Sequence, residues 1–418
     1  MAYNNLDDCS SRKPHGADQS NSDRFKWVVL AIAWLSFVIS CVDRVAWSTI
    51  ASPVGQTLGI SVAMFGAFVT AFYVGYVVAN IAGGVISDVL GARCTLTLTL
   101  LPPGILTFLF IYIHSLTAGI IIQFIMGLSA GADYSACVKI LATWFGKDKG
   151  KAMGISATGS SIAVVFANAI VPSVALKLSW GFAFKFLGIM TSLMGVLAFS
   201  ILRNSPATVV MRRLKLHDVK VLFRNRQLLL FCVCGLGGVY ATVGFAAWCN
   251  ALITKEYGIS PVVAGAVAVW FGFRAVIAKP LLGWLSDLWP RSARWLSIGC
   301  LGMFSSLLIV FGQCSNVIQF YAIAPFLGAA AYGYTPLLIA QVAQISGHNA
   351  AGAAAGISNA AWQLGSVVSP LLIGYVYAHT HSFETALAIL AVGPALGVLC
   401  LLSARGSMSL ADNRPSST

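Results

Sequence analysis

The sequence predicts an all-α membrane protein of twelve transmembrane helices in two pseudo-symmetric six-helix halves. Three observations predict it. First, 58% of the residues are hydrophobic and 9% are charged, whereas soluble domains carry roughly 25% charge. Second, apolar stretches of the ~20 residues needed to cross ~30 Å of hydrocarbon recur about twelve times once the tails and one central loop are set aside. Third, a short charged pattern occurs twice. Gly84-Val85-Ile86-Ser87-Asp88-Val89-Leu90-Gly91-Ala92-Arg93 is answered 199 residues later, from 84 to 283, by Gly283-Trp284-Leu285-Ser286-Asp287-Leu288-Trp289-Pro290-Arg291. A charged turn repeated at half-length in an apolar chain marks an internal duplication.

The apolar runs read as helices because backbone polar groups in lipid must be paired within their own segment; barrel strands would alternate apolar and polar residues. The expected spans are 26–50, 62–89, 92–113, 116–145, 150–176, 180–203, 227–255, 261–288, 292–313, 316–346, 350–378 and 382–404. Residues 1–25 form a polar tail of mixed charge, read as disordered and cytoplasmic rather than as a cleaved signal. Residues 26–203 are then the N-terminal half and 227–404 the C-terminal half. Between them, 204–226 is a basic cytoplasmic linker carrying Arg212, Arg213, Lys215, Lys220, Arg224 and Arg226, and 405–418 is a cytoplasmic C-tail. The small-residue runs Gly154 to Ala163 and Ala351 to Ser358 occupy matching helices of the two halves, where small side chains let backbones approach in lipid.

The net charge of +13 does not point to nucleic acid. Of the 26 Lys and Arg, about 19 fall in tails and loops on one side and about three on the other, which is the positive-inside asymmetry and puts both termini in the cytoplasm. The ten Cys are scattered along helices without metal or disulfide spacing, Cys232 and Cys234 included, and free Cys behaves as a small hydrophobe. No Walker sequence and no nucleophile–base pair suggests an enzyme. No cofactor or metal is expected.

In the repeated turn, Gly84 and Gly283 permit close helix contact, Asp88 and Asp287 end a helix, Gly91 or Pro290 breaks the chain, and Arg93 or Arg291 reaches back toward an acid. Such a cluster can lock one conformation and release in another. It resembles the signature loop between helices 2 and 3 of the major facilitator superfamily, with its echo between helices 8 and 9. That resemblance implies a secondary transporter in which two helical halves rock about a central site, with Gly84, Asp88, Gly91, Arg93, Gly283, Asp287 and Arg291 as the gate.

Six charged residues stand inside the spans: Asp43, Arg44, Asp133, Lys139, Arg274 and Lys279. A charge at mid-bilayer costs ~2.5–3.5 kcal/mol even on the lenient scale, so such residues usually have work to do. Arg44 offers a planar fork of donors to a carboxylate, sulfonate or phosphate. Arg274 lies near the midpoint of helix 8, ~20 Å from its Asp287 end at 1.5 Å per residue. Arg44 and Arg274, one from each half, could clamp a small anion; the competing reading is an arginine neutralised by Asp43 or Asp133. Those two acids are the proton-carrier candidates. Lys139 is placed at the interface, and Lys279 as a relay or a snorkelling side chain. Tyr73, Tyr76, Gln123, Trp248, Asn250, Asn359 and Gln363 are the candidates to complete the pocket, with Tyr332 and Tyr334 beside them; alone, each would serve helix packing.

Asp43-Arg44 on helix 1, Trp144-Phe145 with Lys147 to Gly154, and Gly352 to Pro370 on helix 11 together resemble the anion:cation symporter group, carriers of organic anions such as sugar acids. The resemblance extends over nearly all of 26–404 and implies proton and anion binding at Asp43 and Arg44. Helix 4 departs from it: that group carries Arg, then Glu seven residues on, where this chain has Gln123 and Ala130. Asp133, one turn beyond, is expected to replace the Glu and Arg274 to supply the missing cation. The function implied is import of a small carboxylate or sulfonate with protons across a bacterial inner membrane, by a multi-pass protein expected to be monomeric. Organic-anion exchange of oxalate/formate or sugar-phosphate type is the alternative; drug efflux and a transporter-like receptor are further ones.

Overall fold

The computed structural model describes residues 16–59, 62–113, 115–145, 149–203, 225–289 and 292–404. These are helical, with no strand among the described residues: α1 (Gly16–Leu58), α2 (Val62–Leu109), α3 (Leu116–Ala130), α4 (Asp133–Phe145), α5 (Lys149–Lys177), α6 (Trp180–Ile201), α7 (Arg226–Tyr257), α8 (Pro261–Leu288), α9 (Ala293–Gly312), α10 (Val317–Thr380) and α11 (Phe383–Ser403). α1 starts at Gly16, ten residues before the expected span, so the helix takes in part of the segment read as a disordered tail. The rest of that tail, nearly all of the 204–226 linker and the C-tail lie outside the described residues.

The eleven described helices make twelve spans. α2 contains two, joined at Gly91, whose φ of 78° and ψ of 154° suit glycine and break the helix where the repeated turn was read. α10 also contains two. Its 64 residues would run ~96 Å if straight, about three times the hydrocarbon thickness. Instead the chain doubles back: Tyr334 packs on Gly238 and Trp362 on Gly235, one turn apart on α7, although a straight helix would separate them by ~42 Å. Conversely, α3 and α4 are one span interrupted at Gly131–Ala132.

Helix starts are capped in a way that sets the ends of the bundle. Ser115, Ser179, Ser260, Asn316 and Ser382 each accept a hydrogen bond from the backbone N–H three residues on, satisfying donors that a helix start leaves orphaned. All five lie at the end opposite the repeated turns.

Packing within each half is aromatic at that capped end, with Trp47, Phe68, Phe110 and Phe184 in the first half and Phe245, Phe271, Phe311, Phe320 and Phe383 in the second. The halves meet through α2 against α10 and α5 against α8. Near the capped end these seams are tight: a Cβ on Gly66 would lie 2.4 Å from the Pro370 carbonyl oxygen, and one on Gly265 would lie 2.6 Å from that of Asn168. Toward the repeated-turn end, Gly154 on α5 and Gly356 on α10 have nothing within 4 Å of such a Cβ. The halves are therefore packed tightly near the capped end and leave open space at Gly154 and Gly356. Large apolar side chains such as Trp270, Phe273, Leu281 and Trp284 face outward, and ten described segments are long and apolar enough to cross a membrane.

Candidate functional site

The site is set by a glycine seam between α2 and α3. A Cβ on Gly75 would meet the Phe124 carbonyl oxygen at 2.2 Å, one on Gly127 the Phe72 oxygen at 1.9 Å, and one on Gly131 the Tyr76 oxygen at 2.4 Å. With no side chains between them the two backbones touch, and Tyr76 is carried to the first residue of α4, Asp133. The Asp133 carboxylate, 1% exposed, is ringed by donors. Arg44 Nη2 lies 3.0 Å from Oδ2, Ser40 Oγ donates to the same oxygen at 2.9 Å, Tyr76 Oη donates to Oδ1 at 3.2 Å, and the backbone N–H of Tyr134 also donates to Oδ1. The Arg44 guanidinium stacks over the Tyr76 ring at 4.3 Å and the Phe72 ring at 5.7 Å, so one arginine is held by a charge and by two aromatic faces.

Asp43, 100° around α1 from Arg44, points elsewhere. Both its carboxylate oxygens are buried without a hydrogen-bond partner, as are Arg44 Nε and Trp47 Nε1. Asp43, Arg44, Trp47, Tyr73 and Gln123 line one cavity that offers about 20 Å³ to the centre of a water molecule, enough for one. Asp43, Arg44, Tyr73, Tyr76, Gln123 and Asp133 are thus brought together in the first half.

The second half contributes differently from the expectation. Arg274 is exposed and shares its face of α8 with Trp270, Ile277, Leu281 and Trp284, all outward-facing. The structure does not bring it to Arg44. Lys279 stands on the opposite face, among Ala268, Gly272 and Ala275. Its Nζ donates to Ser160 Oγ at 2.7 Å and to the Ala157 carbonyl at 3.4 Å on α5, and lies 4.8 Å from the Tyr332 ring centre. Residue period carries the signal that separates the two cations: Arg274 falls in the 3–4-residue stripe of Trp and Ile, Lys279 in the stripe of Gly and Ala.

The other candidates are packing residues or bridges between halves. Trp248 donates to the Pro370 carbonyl at 2.9 Å, and Asn250 donates to Asn168 Oδ1 at 2.6 Å, joining α7 to α5 near the capped end. Asn359 donates to Asn80 Oδ1 at 3.4 Å, again across the halves. Gln363 accepts from Ser366 on its own helix, and Tyr334 is buried beside Thr242 within the second half. At the repeated turns, Arg93 Nε donates to the Phe199 carbonyl at 2.6 Å and stacks on the Phe199 ring, so it is turned toward α6. Lys139 donates to the Ser87 carbonyl at 2.7 Å, at the end of the first span of α2, where a helix favours a cation. Gly84 lies in α2, and Gly283 has only Pro336 near a Cβ position, at 3.8 Å. The side chains of Asp88 and Asp287, and Arg291 altogether, lie outside the described residues. No cluster of metal ligands occurs among the described residues.

Two packed helical halves of membrane-crossing length, with an ion pair held inside the first, have the architecture of a membrane transporter. The chain belongs to the Major Facilitator Superfamily, whose sequence pattern matches residues 32–250 and 245–416. It is 22% identical to the probable galactarate/D-glucarate transporter GarP of Escherichia coli (strain K12), over 92% of this chain and 95% of that protein. It is 21% identical to the hexuronate transporter of Bacillus subtilis (strain 168), over 90% and 94%. In three dimensions it resembles a bacterial homolog of the human lysosomal transporter Spinster in an inward-facing, occupied conformation, with a TM-score of 0.74 at 12% identity over 94% of this chain and 99% of that one.

Proposed function

We propose that this protein imports a small organic anion, a sugar acid or related carboxylate, together with protons, across a bacterial inner membrane. The observation that carries the proposal is the 3.0 Å pair between Arg44 and Asp133. Arg44 is the anion's natural partner, and in this conformation the protein's own carboxylate occupies it. A proton on Asp133 cancels that attraction and frees the guanidinium fork for a substrate carboxylate. Asp43 is a second protonatable group in the same cavity, with the Thr191 hydroxyl as its neighbouring side-chain donor. Substrate charge then replaces carboxylate charge, and the loaded halves close at the capped end and part at the other, releasing anion and protons to the cytoplasm. The relatives named for galactarate, D-glucarate and hexuronate transport support the substrate class. The basic loops support a cytoplasmic side for the repeated turns and both termini, with 26–203 and 227–404 proposed as the moving halves of a monomer.

The test is uptake in proteoliposomes holding wild type, Arg44→Gln or Asp133→Asn, with aldarates and uronates as substrates. Wild type accumulates substrate under an inward proton gradient. Arg44→Gln loses both uptake and counterflow. Asp133→Asn keeps counterflow and loses gradient-driven accumulation. Full pH-driven accumulation by Asp133→Asn refutes its proton role, and wild-type uptake that requires internal counter-substrate replaces symport with exchange.

A further inference from the structure

Lys279 is a half-buried cation on the inner face of α8, nine residues before Leu288 and so ~13 Å from that end of the helix, well within a ~30 Å hydrocarbon layer. Among the described residues no carboxylate pairs with it; its Nζ has only the Ser160 hydroxyl and the Ala157 carbonyl and the face of Tyr332. These neighbours are neutral. They orient the ammonium and satisfy part of its donor capacity, but leave its charge standing in a region where an uncompensated charge is costly.

The same lysine shares its surroundings with the Arg44 cluster. Cys41, one turn before Arg44 on α1, is within Coulombic reach of Arg44, Asp133 and Lys279 together, and Tyr332 is within reach of Arg44 and Tyr73. Arg44 comes from the first half, over the Tyr76 ring, and Lys279 from the second, over the Tyr332 ring. The described charges of this region are two acids, Asp43 and Asp133, and two bases, Arg44 and Lys279. When both acids take up protons, two positive charges remain.

We infer that Lys279, positioned by Ser160 and Tyr332, is the second cation of the substrate site and that the site selects a dianion, one acid group on Arg44 and the other on Lys279. This rests on the reading of Arg44 as the anion's partner. A dianion with two protonated carboxylates leaves the occluded cavity neutral, the state in which rocking costs least; a monoanion leaves one charge behind. The lysine's hydrogen bonds to α5 and its place on α8 also mean that the ligand's second acid group would engage the seam between the halves.

The experiment measures binding to the purified full-length protein by quenching of tryptophan fluorescence, with a six-carbon aldarate (two carboxylates) and the matching aldonate (one) as probes. Wild type binds the aldarate at least about 10-fold more tightly, since a charge-assisted hydrogen bond is worth about 10–100-fold. Lys279→Gln lowers aldarate affinity about 10–100-fold and aldonate affinity less than about 3-fold, erasing the preference. Ser160→Ala, a milder change for use if the lysine variant does not fold, reduces the same preference without weakening the aldonate. Equal loss of both ligands in either variant makes Lys279 a structural latch between α5 and α8 and overturns the proposal, as does a wild type with no preference or no aldarate binding. Arg44→Gln separates the two readings: it weakens both ligands if Arg44 holds the common carboxylate, and unchanged binding there removes the underlying site rather than the role of Lys279.

Discussion

The Arg44–Asp133 pair makes a quantitative prediction about stability that is independent of any substrate. Asp133 is 1% exposed and Arg44 is 14% exposed, at 3.0 Å. At an effective dielectric of ~20, two unit charges at that distance attract by about 5 kcal/mol before desolvation is subtracted. Removing one member leaves the other buried and uncompensated, which costs about 3–5 kcal/mol. Asp133→Asn keeps an acceptor for Tyr76 and the Tyr134 N–H, and its amide can donate to Ser40, so the loss falls on Arg44. Arg44→Gln leaves Asp133 with three of its four donors and no countercharge. Each single variant should therefore destabilise by about 3–5 kcal/mol, while the double variant, with neither charge left to strand, should cost about 2–4 kcal/mol less than the sum. The assay is denaturant unfolding of detergent-solubilised protein followed by tryptophan fluorescence. Additivity within ~0.5 kcal/mol would mean that the two groups do not interact energetically, and the proton-release argument for Arg44 would fall with it.

Two further outcomes test the placement of other residues. Arg274→Leu should leave transport intact and hold or raise membrane levels, because a mid-helix arginine on the outward face opposes insertion by ~2.5–3.5 kcal/mol; loss of uptake at normal expression would return Arg274 to the substrate site. Gly127→Ala should lower the yield of folded protein, since the added Cβ would lie 1.9 Å from the Phe72 carbonyl oxygen and the seam holding Tyr76 against Asp133 must open, at about 1–3 kcal/mol. Gly154→Ala, with nothing within 4 Å, should be neutral within ~0.5 kcal/mol, and equal behaviour of the two variants would contradict the packing described here.

Much of the architecture was legible in the chain because its signals are local. Span length and hydropathy follow from the bilayer's thickness, and the break at Gly91 from a residue whose backbone tolerates positive φ. Asp133 was legible as a carboxylate inside a span, and the structure gives it Arg44 as its partner. Arg274 and Lys279 show the limit. Both are cations in the middle of one apolar helix, and membrane depth treats them alike. What separates them is the face of α8 each occupies, and α8 alone does not say which face has a partner. The small-residue stripe carrying Lys279 was present in the sequence, but it became a site only when α5 was seen to lie against it. The same holds for Trp248 and Asn250. They read as pocket polarity in sequence, but their hydrogen bonds go to Pro370 and Asn168.

The transporter reading came from the chain's resemblance to the superfamily. By itself, the sequence determined that this chain lives in a membrane, that its apolar helices carry an internal repeat, and that its first half contains an adjacent acid and arginine. Those follow from composition, period and repeat, which are properties of neighbours along the chain. Only the tertiary structure decided that Arg44 is held by Asp133 rather than by the adjacent Asp43, and that Lys279 rather than Arg274 faces the space between the halves. Those rest on contacts among residues 89 to 122 positions apart, set by glycine seams and helix rotation, and groups that distant meet only when the backbones between them have packed.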